Sequence, residues 1–115
     1  MEESEIDYGS FVIPGPLWHV SDAEGGYGTG TLSSGVPFVA LFTDSDLAER
    51  FIGRSGLAGS MAVELPTDHD LAHFLYAIHE EFYERIAIDP EPGRPTRHST
   101  TFGYFRFVCG RIGPQ

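Results

Sequence analysis

From residue 36 onward the chain alternates short, densely apolar runs with longer stretches whose apolar residues recur at helical spacing. Val36-Pro37-Phe38-Val39-Ala40-Leu41-Phe42 is apolar on successive residues and rich in strand formers, the pattern of an interior strand covered on both faces, and the proline near its start is tolerated there. Thr43-Asp44-Ser45-Asp46 follows with capping side chains. Thr43 and Asp46 stand at capping-box spacing, and a helix is predicted from Asp44 to about Arg54. Leu47, Ala48, Phe51 and Ile52 share one sector of that helix while Glu49 and Arg50 lie outside it, so one face can lie on a sheet. Gly53, Gly56 and Gly59 end the pattern, and Ser60 to Leu65 is predicted as a strand closed by Pro66.

The longest helix is predicted from Thr67, which can cap it, to about Tyr83. Asp68 and Asp70 suit its positive start, and Leu71, Phe74, Leu75, Ile78 and Phe82 converge on one face. Glu81 and Arg85 are spaced for an ion pair in the last turn. Ile86-Ala87-Ile88 forms a short strand ending at Asp89-Pro90, and Pro90, Pro92, Gly93 and Pro95 dictate an extended loop over residues 90–99. A final strand is predicted from Thr101 to Val108. Before residue 36, Phe11-Val12-Ile13 is a candidate strand stopped by Pro14-Gly15-Pro16, Leu17 to Val20 resumes it, and Asp22 to Gly30 is a glycine-rich turn. The acidic opening, residues 1–9, is expected to be mobile. The pattern thus predicts one α/β (α+β) domain over residues 1–115, a mixed β-sheet with two helices packed on it.

Charge sharpens this outline. Seventeen acidic residues against seven basic ones give a net −10, all seven bases are Arg, and neither Lys nor Asn occurs. The charge is segregated: residues 1–93 hold every acid and three Arg, a net −14, whereas residues 94–115 hold four Arg and no acid, a net +4. Such a balance argues against a nonspecific nucleic-acid or anionic-membrane binder, which needs positive charge. No run approaches the roughly 18–20 apolar residues of a membrane span. The single Cys109 cannot form an internal disulfide, and the acidic start lacks the pattern of a signal peptide, so a cytoplasmic location is expected.

Two landmarks carry a family resemblance. Val36 to Thr43 followed at once by the capped helix is similar to the strand, Phe-Thr turn and helix of the SseB-like proteins, named after the enhanced serine sensitivity protein. Ile86-Ala87-Ile88-Asp89-Pro90 resembles the family's short strand ending in Asn-Pro or Asp-Pro. The resemblance covers residues 36–90 and implies a small α/β domain, sometimes linked to secretion systems, without catalytic residues to carry over.

The chemistry in the residues is sparse. His69, His73, Tyr76 and Glu80 share a polar stripe on the long helix, and a His pair one turn apart with a carboxylate further along is the simplest pattern for a divalent metal; a solvated helix face uses the same residues. His79-Glu80-Glu81-Phe82-Tyr83 misses the metalloprotease His-Glu-x-x-His because position 83 is Tyr. Gly26-Tyr27-Gly28-Thr29-Gly30 lacks the Lys and the following helix of a phosphate loop, and a hairpin turn explains its glycines. Cys109 sits in an apolar run and reads as a packed thiol.

A binding role remains. Trp18 and His19 beside the Pro14-Gly15-Pro16 break, and Tyr104, Arg106 and Arg111 on an edge strand, are the interaction candidates for a protein partner or homodimer. The expected function is a noncatalytic protein-binding or regulatory module without a cofactor. The alternative is a metal-binding protein or metal-dependent hydrolase using His69, His73 and Glu80.

Overall fold

The computed structural model describes residues 3–5, 16–22, 24–56, 59–91 and 93–112. In chain order its elements are β1 (Glu3–Glu5), β2 (Leu17–Ser21), β3 (Thr29–Thr31), β4 (Pro37–Phe42), α1 (Ser45–Ser55), β5 (Met61–Leu65), α2 (Asp68–Glu80), β6 (Arg85–Ile88), β7 (Thr96–Thr100) and α3 (Thr101–Ile112). The strands form one mixed sheet in the order β1-β7-β6-β4-β2-β5, with β3 also paired to β4.

β4 is the interior strand its composition predicts. Phe38, Ala40 and Phe42 point to one face and join Ala48 and Phe51 of α1, while Val39 and Leu41 point to the other and join α2 and α3. The connection β4-α1-β5 runs one way along the sheet and β5-α2-β6 runs back. Both crossovers can be right-handed only when their helices lie on opposite faces, and the two side-chain clusters place them so.

β2 and β3 share one edge of β4. Trp18 and His19 pair with Phe42 and Leu41, whereas Thr29 to Thr31 pair with Val39 to Pro37. At the changeover Gly28 is wedged between strands: its N–H donates to the Val20 carbonyl at 2.9 Å and its own carbonyl accepts from Ala40 at 2.9 Å. A Cβ there would lie 2.8 Å from Val20 Cβ, so only glycine allows the approach.

Several expectations are corrected. The domain has three helices rather than two, because Thr101 to Ile112 is helical and not a strand. Its inward residues Thr101, Tyr104 and Val108 recur at helical spacing and bury against α2 and the sheet. Thr100 caps the helix by accepting the Gly103 N–H at 3.1 Å. The extended loop expected over 90–99 gives way at Thr96 to β7, which pairs antiparallel with β6. Within the acidic opening expected to be mobile, Glu3–Glu5 pairs in parallel with β7; the candidate strand Phe11-Val12-Ile13 lies outside the described residues.

Helix ends also differ. Asp44 caps α1 by accepting the Asp46 N–H at 2.6 Å. Thr43 serves elsewhere: its N–H and hydroxyl donate to the Asp89 carboxylate at 2.9 and 2.7 Å, clasping the ends of β4 and β6 together. Thr67 caps α2 as expected. α2 stops at Glu80, where Phe82 N–H donates to the His79 carbonyl and Tyr83 N–H to the Ile78 carbonyl, the two bonds of a Schellman ending. Phe82 takes the left-handed position usually held by glycine, φ 69°, and is 89% exposed instead of joining the apolar face.

Candidate functional site

The polar stripe of α2 does not assemble a metal centre. His69, His73 and Glu80 are all exposed, and eleven residues of helix separate His69 from Glu80 by about 16 Å at 1.5 Å per residue, too far for one ion. Among the described residues no three His, Cys, Asp or Glu side chains converge.

Trp18 and His19 point to opposite faces of β2. Trp18 packs half-buried against the α1 cluster. His19 lies on the α2 side, stacked on Phe74 with ring centroids 4.3 Å apart. Its Nδ1 is shielded from water without a hydrogen-bond partner, and burial lowers its pKa against a small upward pull from the Val20 backbone. Tyr27 meets Phe74 and Tyr83 edge-on at 5.5 and 5.8 Å, and its hydroxyl donates to the Glu81 carboxylate. Burial, followed by that hydrogen bond, pushes the Tyr27 hydroxyl up to about 12. Both groups are thus held in their neutral forms at pH 7.

The glycine-rich stretch is a self-capped turn. The Asp22 carboxylate accepts the Glu24 and Gly26 N–H groups at 2.8 and 2.7 Å. It occupies the amides that a phosphate would use and adds negative charge beside them.

On α3 the interaction candidates separate. Tyr104 is an interaction candidate that lies on a helix and not an edge strand, fully buried against the sheet as core. Arg111 lies over the Phe107 ring at 5.3 Å and bonds Asp68 at 2.6 Å, linking the C-terminal end of α3 to the N-terminal end of α2, where both helix dipoles favour these charges. Arg106 is exposed. Cys109 is exposed too, not packed as expected.

What the helix creates in place of an edge strand is an aromatic face. Phe102, Phe105, Arg106 and Cys109 follow one another at i, i+3, i+4 and i+7 on α3, on the face beside its buried stripe. Phe105 packs on Tyr76 of α2 at 5.9 Å and on Phe102 at 6.2 Å, and Phe102 meets His79 at 5.5 Å. Tyr76 remains 53% and Phe102 50% exposed. A strand over 101–108 would have no such face, and the i, i+3 spacing of Phe102 and Phe105 is the signal for it in the sequence.

No family model and no curated protein matches this chain. None of the described helices is long and apolar enough to cross a membrane.

Proposed function

We propose that this domain is a noncatalytic protein-binding module of the SseB-like group, and that it docks its partner on the outer face of the α2/α3 pair. The observation carrying the docking reading is the ring-to-ring run Tyr76-Phe105-Phe102-His79, half open to solvent on the α2/α3 pair. Aromatics of this kind dominate interface centres. Exposed Glu80, Glu81 and Glu84 lie on or just beyond the end of α2, with Arg106 an exposed base on α3, and the whole chain carries −10. That charge repels a second copy and favours a partner with basic residues around an apolar centre.

Support for the family reading comes from the Thr43–Asp89 clasp. The two landmarks of the resemblance, forty-six residues apart, are hydrogen-bonded to each other. The noncatalytic reading is supported by the engagement of the two perturbed groups, the His19 ring stacked on Phe74 and the Tyr27 hydroxyl bonded to Glu81.

The test compares the chain with its Tyr76→Ser/Phe102→Ser variant in pull-downs from the native source, with circular dichroism to verify folding. The expected result is a basic protein retained by the wild-type chain, lost with the folded variant and released by salt. Equal retention by both chains refutes the docking face, and elution at twice the monomer mass replaces the basic partner with a second copy.

A further inference from the structure

β5 stands at one end of the sheet order, and the backbone register shows which of its polar groups are unused. Val20 of β2 turns its carbonyl away from β5, toward the Gly28 N–H that donates to it at 2.9 Å. Backbone direction alternates along a strand, so Leu17, His19 and Ser21 are the β2 residues whose N–H and C=O groups face β5, where they pair with Leu65, Val63 and Met61. Ala62 and Glu64 therefore turn both their N–H and C=O groups outward, and among the described residues nothing bonds them.

Proteins commonly blunt such an edge with Lys, Pro or a bulge. β5 pairs with β2 in unbroken register over Met61–Leu65, contains neither Lys nor Pro, and stops only at Pro66. Two donors and two acceptors are left facing out, the complement of two residues on an antiparallel strand. The side chains set what that strand should carry. Ala62 packs toward the α1 cluster and Glu64 projects to the same face, exposed. Val63 and Met61 project to the α2 face, the first half-buried and the second 61% exposed. Opposite charges across a strand pair attract and like charges repel. Between Arg54 and Arg85 the chain holds six acids and no base but histidine, so the edge favours a cationic strand. A second copy would instead bring another Glu64 to the same face and a further −10.

We propose that β5 accepts an extended segment of another protein as an added antiparallel strand, one that sets Lys or Arg opposite Glu64 and an apolar residue opposite Val63. This edge uses none of the α2/α3 aromatics, and it stands or falls independently of that docking face.

The experiment titrates the full chain with the peptide Thr-Val-Lys-Val-Lys-Val-Thr, blocked at both ends, while NMR follows the Ala62 and Glu64 amide signals. Saturable shifts of both amides are expected. Affinity should fall about fivefold or more when Glu replaces both Lys of the peptide, and about threefold in Glu64→Gln. Binding should be lost when the two Lys backbone nitrogens are methylated, and in Ala62→Pro, whose ring removes an outward N–H and no bond to β2. Circular dichroism verifies the fold of Ala62→Pro, and the methylated peptide tests the same contact on the unaltered chain. The proposal is overturned if the shifts do not saturate, if the methylated or the acidic peptide binds as well as its parent, or if Glu64→Gln leaves the affinity unchanged. It is overturned in favour of a second copy if the chain elutes at twice the monomer mass and Ala62→Pro returns it to monomer.

Discussion

An imidazole stacked on Phe74, with Nδ1 shielded from water and unbonded, is compatible with the native state chiefly in its neutral form. The folded pKa of His19 is therefore below its ordinary 6.5. Above pH 6.5 neither state is protonated; between 6.5 and the lowered folded value the unfolded chain takes up a proton that the native chain refuses. The stability is present above 6.5 and is lost as pH falls through that window. Urea denaturation should show the wild type losing more stability than His19→Phe between neutral pH and mild acid, with a difference of at most about 1.4 kcal/mol per pH unit. Equal losses in the two proteins would mean that His19 protonates freely in the fold. The same scale shows what local reading can reach. Thr67 caps the residues next to it and was legible, whereas Thr43 leaves the local box to hold Asp89 across the sheet, a partner no spacing reveals.

Among the elements, β4, α1, α2 and β6 were legible because their apolar periodicities were unambiguous and each could bury its own stripe. α3 was not. Its Phe, Tyr and Val residues favour strands by propensity, and Gly103 and Gly110 weaken a helix. The burial of Thr101, Tyr104 and Val108 on one stripe overrides that preference through tertiary packing. β7 escaped for the converse reason: Thr96-Arg97-His98-Ser99-Thr100 is polar, yet it is held in place by pairing on both edges, to β6 and β1. The helical state of α3 is open to a direct check at Gly110, where an added Cβ meets nothing within 4 Å. Gly110→Ala should stabilise the protein by about 0.5–1 kcal/mol, and Gly110→Thr should stabilise it less, because a β-branched side chain suits a helix poorly. Thermal or urea unfolding gives the ranking. The opposite order, Thr above Ala, is what a strand at this position would produce.

For the whole molecule, the segregated charge sets how stability responds to salt. The extents of 42 × 30 × 26 Å are comparable with the Debye length of about 30 Å at 0.01 M ionic strength and well beyond the roughly 10 Å at 0.1 M. At low salt the −10 charge therefore repels itself across the whole fold. The described ion pairs oppose this weakly. Arg50–Asp46 sits on two exposed side chains and Arg94–Glu91 on one exposed and one half-buried, and pairs of that kind contribute about 0–1 kcal/mol each. Arg111–Asp68 is the better shielded, with side chains 29% and 41% exposed, and it is one point where the cationic final segment meets the acidic body. Raising the ionic strength from about 0.01 to about 0.1 M should accordingly raise the thermal midpoint. Arg111→Gln should lower it most at low salt, since the change both breaks the inter-helix link and takes the net charge from −10 to −11, and the gap to wild type should narrow as salt screens both effects. A midpoint that falls with added salt would mean that specific pairing, above all between the 94–112 segment and the body, outweighs the general repulsion.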